Sequence, residues 1–597
     1  MRAAQLALIL SSVAQSAGRS KVSASAFDCG EYAVRVLNAN WELVQRRIAL
    51  EAVRWKVSWE NSTETASKAA TRRLVSELQD AGVNVCPGRQ TGRPTGSERV
   101  GSSAGFNLML AKNHWEYMSD HEVRNTHNFL PEEADLILGK HGRDPPLADR
   151  VRRINKLRAG GPTCYIGMCR NNDIATLEPL RWKWSGCNGR NNCSALALAT
   201  SLSSQGRTRL LFVGDSTMEQ LLEAFVCALV RSGCNATRVA PPPQRTTSLD
   251  FVNRSAFNTM MPTIGPSPDP WGSVDRKLII SCPVSGSQQR LTLQIAQRFH
   301  GGNLLAVKEV KCFYWRRWAS NPQMNVTMKD ADEFCEKYDP QNDFDSPTQY
   351  GRMFDDADAI IVNQGLHGSK HLDLLIRTVA RSTERSSGPL AVWLQTLPQH
   401  FPTTRATTGK GCPGDYWSRW YETTVAPDGA IHPSVTPLDQ GIGLSNAKRH
   451  PAEMDVFQCL PHRTANEPAT CHHIMAERTM QQELAAVATG RLQVVPLFEL
   501  LRSRWDLHGA WYSDKAHQFQ NETSNVKQDN LVMVPAPGQE GGAVLKRARP
   551  EGNSHWNGEG ADCTHFCFTP TLFAATFGLI REGLALAAAG SGRSEPR

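Results

Sequence analysis

The sequence predicts an α/β fold, a mainly parallel sheet flanked by helices, behind a mostly helical N-terminal extension. Three observations predict it. Short apolar, partly β-branched runs at 208–213, 358–362, 390–394 and 492–497 each have the length of a buried strand. After them, apolar residues recur at helical spacing over 218–229, about 371–383 and 498–505. Strands that alternate with helices imply parallel pairing with both sheet faces covered, because each crossover helix packs back onto the sheet. Third, residues from about Ala26 to Gln79 carry the helical period, with Ala33, Val36, Leu37, Trp41 and Val44 on one face and a similar pattern from Ala66 to Leu78.

Taken in order, the chain begins with Met1-Arg2, a short apolar stretch from Ala3 to Leu10, and small residues from Ser11 to Ala17. One positive charge, a brief apolar run and a Ser12-Val13-Ala14 site are the pattern of a secretory signal peptide over 1–17. The run is short of the ~20 residues of a membrane span, and an uncleaved signal anchor is the alternative. Residues 24–159 form the N-terminal region. Within it, a Gly/Ser/Arg-rich stretch from Cys86-Pro87-Gly88 to about Gly105 reads as a linker or exposed loop. A catalytic domain is expected over 160–585 and a flexible tail over 586–597.

Of the 597 residues, 40 % are hydrophobic and 21 % charged, which excludes a disordered chain. The net charge of +8 is small for this length, and no dense Lys/Arg stripe with interleaved aromatics occurs, so no nucleic-acid partner is expected. The short basic patch Lys546-Arg547-Ala548-Arg549, beside Pro550 and Gly552, reads as a solvated loop. The 16 cysteines are scattered, without the paired C-x2-C units of a zinc ribbon, which favours disulfides over metal. Glycosylation sequons stand at Asn61, Asn192, Asn235, Asn253, Asn325 and Asn521. With the leader, these features predict a glycoprotein of the secretory pathway, in the Golgi lumen or outside the cell.

The chemistry is sought at Gly214-Asp215-Ser216, between a strand ending at Val213 and a helix whose apolar residues are Met218, Leu221, Leu222, Phe225, Val226 and Leu229. A serine hydroxyl is a weak nucleophile until a base takes its proton and donors stabilise the oxyanion. A serine at a strand-to-helix turn has helix-start amides beside it, and that helix end favours negative charge. Gly214 spares the turn a Cβ clash. The same tripeptide also suits a plain helix cap by Asp215 or Ser216. A base is available in Asp562-Cys563-Thr564-His565-Phe566-Cys567, where an Asp three residues before a His can reach back to its Nδ1. A disulfide-rich loop with an incidental His, or a metal site, are the alternatives for that block.

Six ordered stretches resemble the PC-esterase/trichome-birefringence-like family of the SGNH/GDSL-like superfamily. They are Leu180-Arg181-Trp182-Lys183-Trp184 with Cys187; Leu211 to Ser216 with Gln220; Val310-Lys311-Cys312-Phe313-Tyr314-Trp315, similar to an aromatic strand segment; Val362-Asn363-Gln364-Gly365-Leu366-His367; Gln395 to Phe401; and Asp562 to Cys567. The resemblance spans roughly residues 160–580. It implies an SGNH-type sheet and a Ser/His/Asp triad: Ser216 as nucleophile, His565 as general base and acid, Asp562 as its orienter. The oxyanion and substrate side would fall to Gly214, Asp215, the Ser216 amide, Asn363 and Gly365. The implied reaction is O-acyl, chiefly O-acetyl, transfer to a polysaccharide or glycoprotein glycan, or hydrolysis of such an ester, with no cofactor or metal and an acyl donor of undetermined identity. Thr217-Met218-Glu219, and Phe568-Thr569-Pro570-Thr571 after Cys567, depart from the family pattern and bear on the substrate more than on the chemistry.

Other candidates compete. Asp514-Lys515-Ala516-His517 is a second Asp-x-x-His, just after Asp506-Leu507-His508. His367 and His400 read as hydrogen-bonded structural residues, Cys471-His472-His473 lacks ligand spacing, and Trp315, Trp318, Trp417 and Trp420 suit core packing before sugar stacking. A glycan-binding protein without catalysis, and a metal-dependent hydrolase, are the rival readings of the whole chain.

Overall fold

The computed structural model describes, apart from isolated positions, residues 27–39, 71–88, 113–139, 146–158, 172–187, 193–238, 276–283, 290–299, 327–338, 347–363, 372–400, 422–425, 431–434, 491–512, 531–535, 543–547, 559–561 and 566–590. The predicted leader, the stretch from Gly88 to about Gly105 beyond its first residue, and all the sequons except Asn235 lie outside them.

A seven-stranded sheet organises the molecule. In chain order its strands are β1 (Arg209–Gly214), β2 (Asn235–Arg238), β3 (Arg276–Pro283), β4 (Arg290–Phe299), β5 (Ala359–Asn363), β6 (Leu390–Leu394) and β7 (Leu492–Val495). They lie in the order β7-β6-β5-β1-β4-β3-β2. From β7 to β4 every pairing is parallel, whereas β3 runs antiparallel to β4 and β2 to β3. The helices that cover it are α1 (Ala195–Ser204), α2 (Ser216–Arg231), α3 (Pro347–Asp356), α4 (Leu372–Thr383), α5 (Leu497–Leu501) and α6 (Pro570–Gly590).

The continuous apolar runs Ala359–Asn363 and Leu390–Leu394 are buried at every position, as expected of strands covered on both faces. Period-two alternation then sorts their side chains. Leu210, Phe212, Ile361 and Val392 enter one core with α1, α2 and α6. Leu211, Val213, Ile360 and Val362 enter the other with Tyr350, Met353 and Phe354 of α3 and Leu375, Ile376 and Val379 of α4. The fold is therefore α/β, with an antiparallel edge added to the parallel sheet.

Helix α6 is long and apolar enough to cross a membrane, yet most of its apolar window is buried here against the rest of the protein. It runs to Gly590, with Leu586 and Ala588 packed on the core, so the expected tail boundary at 585/586 falls inside a helix.

Four further sequence readings gain detail from the structure. The N-terminal region divides between two cores among the described residues: Tyr32, Val36, Leu37 and Val75 share the core of α1, α2 and α6, while Met118, Val123, Ile137 and Ile154 form a separate buried cluster with Leu177, Leu180 and Cys567. Strand Trp115–Tyr117 pairs antiparallel with Trp182–Trp184, so a boundary at 159/160 cuts a two-stranded sheet. Trp315 and Arg316 are helical rather than extended, and Trp315 stacks on Phe334 at 4.6 Å in a small buried cluster. Lys546 and Arg547, read as a loop, end a strand (Ala543–Arg547) paired with Leu531–Pro535. The pairing of Trp115–Tyr117 with Trp182–Trp184 has no local signature.

Among the described residues four cysteine pairs lie at disulfide distance, Cys29–Cys86, Cys187–Cys193, Cys234–Cys282 and Cys312–Cys335. The N-terminal segment is also held by a buried ionic cluster. Arg504 donates from Nε to Asp506 Oδ1 at 2.9 Å and from Nη2 to Oδ2 at 3.2 Å, and Nη2 also reaches the Pro179 carbonyl at 2.7 Å. Tyr32 donates its hydroxyl to Asp506 Oδ2 at 2.5 Å. Burial, and then the Asp506 charge, push the Tyr32 phenol well above its ordinary range, so it stays a donor. The Arg504 guanidinium lies 4.5 Å from the centre of the Trp115 ring.

Nearer the surface, Glu122 accepts from Lys183 Nζ and from the Ser119 backbone, each at 2.8 Å. Burial alone would raise its carboxyl, but those donors outweigh it and hold the group at about 2.

Asp506→Asn keeps the volume and removes the charge facing a buried guanidinium. It is expected to lower unfolding free energy in urea by about 3–5 kcal/mol. Because the folded Glu122 carboxyl titrates below its unfolded counterpart, its contribution is present above pH about 4.5 and is lost as pH falls towards about 2. Glu122→Gln is therefore expected to cost under about 1 kcal/mol at neutral pH, the group being largely exposed, and almost nothing in a melt at pH 2.

Candidate active site

In parallel α/β sheets, residues of one site gather where strands end at their carboxyl side. Here β1 ends at Gly214 and its neighbour β5 at Asn363, and these two residues are register partners. Ser216 is the first residue of α2 and Asp215 its N-cap. The Asp215 carboxylate accepts from the Thr217 amide at 3.0 Å and from the Thr217 hydroxyl at 2.7 Å. This is the capping role that the sequence left open for it, and it leaves no part of Asp215 exposed.

Gly214 has a steric reason. Its φ is not in the left-handed region, so conformational freedom is not what is needed. A Cβ placed there would lie 2.2 Å from the Asn363 carbonyl oxygen and 2.7 Å from Met218 Cβ. The absent side chain is what lets β5 and the first turn of α2 close on one point. Asn363, 3 % exposed, donates from Nδ2 to the Leu394 carbonyl at the end of β6 at 2.8 Å, and its Oδ1 lies 3.4 Å from the Thr217 hydroxyl. Three strand ends and a helix N-terminus are thus tied together around the Ser216 backbone.

Asp562, His565 and Gly365 lie outside the described residues, as do Asp514, His517, His367, Cys471 to His473, Trp318, Trp417 and Trp420. The flanks of the 562–565 stretch are described. On one side, strand Glu559–Ala561 pairs antiparallel with Ala510–Tyr512. On the other, Gln220, one turn into α2 from Ser216, holds the Phe566 backbone at both groups: its Nε2 donates to the carbonyl and its Oε1 accepts from the amide at 3.2 Å. The Cys567 amide then donates to the Leu507 carbonyl at 2.7 Å. The structure therefore brings together Gly214, Asp215, the Ser216 backbone and Asn363, and it delivers the chain next to His565 onto the same helix.

His400 is buried and hydrogen-bonded, as read from the sequence. It lies between the Arg502 carbonyl and His508, whose ring lies tilted against Phe566 with centroids 4.4 Å apart. The parts played by Gln220 and His508 escaped the sequence. For Gln220 a signal existed: an amide on a helix beside Leu221, Leu222 and Phe225 must find buried partners.

No family model, curated protein or solved structure matches this chain in comparisons with known proteins.

Gly214→Ala inserts a methyl where backbone already stands. It is expected to destabilise the protein by about 1–3 kcal/mol or more in urea denaturation, by parting β5 from the start of α2.

Proposed function

We propose that the chain is a serine-dependent acyltransferase of SGNH type, which moves an O-acyl group, acetyl in the first instance, to a hydroxyl of a polysaccharide or glycoprotein glycan. The observation that carries this reading is the Gln220–Phe566 pairing, which joins the helix begun by Ser216 to the segment containing Asp562 and His565. Gln220 lies four residues, about 6 Å of helix rise, beyond Ser216. His565 Cα is one peptide, about 3.8 Å, from that of the clamped Phe566. The proposed base is thus the chain neighbour of a residue whose backbone α2 holds.

In the proposed reaction His565 takes the proton of Ser216 Oγ as the Oγ–carbon bond forms and the carbonyl electron pair moves to oxygen. The Ser216 amide faces that oxyanion, at the favourable end of the α2 dipole. The Asn363 amide gives one hydrogen to Leu394 and carries a second that suits the same role. When the tetrahedral centre collapses, the donor's alkoxide leaves with the proton held by His565. Asp562 orients the imidazole and balances its charge. A sugar hydroxyl then surrenders its proton to His565 and attacks the acyl-serine, releasing Ser216, which takes that proton back. Water in place of the sugar makes the same site an esterase, so the fate of the acyl group rests on how well the acceptor excludes water. The cysteine pairs and the leader-like N-terminus suit work in the Golgi lumen or outside the cell.

Brief exposure to p-nitrophenyl acetate is expected to leave an acetyl group on the Ser216 peptide by mass spectrometry. The adduct is expected to vanish in Ser216→Ala and in His565→Ala. A wild-type protein that neither gains the adduct nor releases nitrophenol would overturn the reading. An adduct that survives loss of His565 but not of His517 would move the base to the second Asp-x-x-His.

A further inference from the structure

The antiparallel part of the sheet differs from the parallel part in having one open face. Along β2, β3 and β4, Ala236, Ile280 and Leu293 form one cross-strand row and Leu278 with Ile295 the next, all on the core of α1, α2 and α6. On the opposite face the rows are Asn235–Ser281–Thr292 and Thr237–Ile279–Gln294. Asn235, Thr237, Thr292 and Gln294 are exposed there, while Ser281 and Ile279 are half-buried. Period two has sorted apolar residues inward and mostly polar ones outward, as on a sheet with one solvated face.

Asn235-Ala236-Thr237 is a glycosylation sequon, and the strand decides how it is presented. Residues two apart on a strand face the same side, so the Asn235 amide and the Thr237 hydroxyl both stand on the open face, while Ala236 packs on the core. The position is well fixed. Gly233, at φ 85°, turns the chain out of α2, and Cys234, 3 % exposed, lies at disulfide distance from Cys282 of β3. Next to Asn235, Arg290 donates from Nε to Ser281 Oγ at 2.7 Å, so the adjoining surface is polar. Among the described residues no strand lies beyond β2. Such an edge is a template for pairing with another chain, and a bulky hydrated group beside it blocks that approach.

We propose that Asn235 is an N-glycosylation site and that its glycan shields the β2 edge from pairing with a second copy of this chain. The attachment joins Asn235 Nδ2 to the anomeric carbon of an oligosaccharide carried on a polyprenyl diphosphate. As that bond forms, the bond from the anomeric carbon to the diphosphate oxygen breaks. Its electron pair leaves with the diphosphate, and Nδ2 gives up one proton. The assignment rests on the secretory part of the proposed reading and takes nothing from the acyl transfer.

The test expresses the full chain in a eukaryotic host, once with its own N-terminus and once behind an added signal peptide. Peptide N-glycosidase in heavy-oxygen water converts a glycosylated asparagine to labelled aspartate, which mass spectrometry of the peptide reads. The label is expected at Asn235 in both forms, to be lost in Asn235→Gln and Thr237→Ala, and to persist in Thr237→Ser, which keeps the hydroxyl. Light scattering is expected to show Asn235→Gln and Thr237→Ala at a higher mass than the wild type, and Thr237→Ser at the wild-type mass. A label absent from Asn235 in both forms overturns the assignment alone. A label found only behind the added signal fails the secretory reading, and the assignment falls with it. Glycan-free variants that keep the wild-type mass overturn the shield. If neither variant leaves the cell, the folded wild-type protein stripped by the glycosidase carries that part of the test: a rise in mass is expected, and an unchanged mass overturns it.

Discussion

The carboxyl end of the sheet is tied to the C-terminal segment by two hydrogen bonds between one side-chain amide and the backbone of one residue. Gln220 pairs its carboxamide with the amide and carbonyl of Phe566, a residue 346 positions along the chain. A buried backbone group without a partner costs about 1–3 kcal/mol, so each bond matters chiefly through the penalty it removes. The geometry matters as much as the energy. A carboxamide that meets both groups of one residue defines where that residue lies and which way its chain runs. The carboxyl end of β1 and the C-terminal segment are thereby placed in one frame.

The loop that leaves α5 extends this frame in two directions. Towards the N-terminal segment, Arg504 and Asp506 form a buried ion pair that takes in the Tyr32 hydroxyl and the Pro179 carbonyl. Towards the C-terminus, the Leu507 carbonyl accepts from the Cys567 amide and the His508 ring packs at a tilt against Phe566. Buried ion pairs add little stability over a well-packed apolar alternative, but they tolerate few arrangements, because a charge displaced from its partner in low dielectric is costly. A run of five residues, 504 to 508, thus ties the N-terminal helix, the strand ends and the C-terminal segment to one another. Tyr32, Val36, Leu37 and Val75 thus belong to the same core as α1, α2 and α6.

The resulting site combines rigid and permissive parts. Gly214, Asp215, Thr217 and Asn363 form a close network in which every contact is short-range and buried, so the first turn of α2 has little room to move. His400 and His508 add a further close contact, with ring nitrogens 2.7 Å apart. Pre-set geometry of this kind is what nucleophilic chemistry at a weakly acidic hydroxyl requires.

Much of the architecture was legible in the chain because its signals are local. Apolar runs at 358–362 and 390–394 announce strands covered on both faces, and the period of Met218, Leu221, Leu222 and Phe225 announces α2. Asp215 at the junction has the side chain of an N-cap. Sequence alone thus determined the α/β class, the strand-to-helix turn at Ser216 and the N-cap at Asp215, since each depends on residues within one turn or one strand. Only the tertiary structure decided that Gly214 is needed for the approach of Asn363 and that Gln220 seizes Phe566. The same holds for the pairing of His400 with His508 and for the place of Tyr32 in the core of α2. Those contacts join residues 108 to 474 positions apart. Nothing in a local window records such a pairing, because its energy appears only when the two surfaces meet.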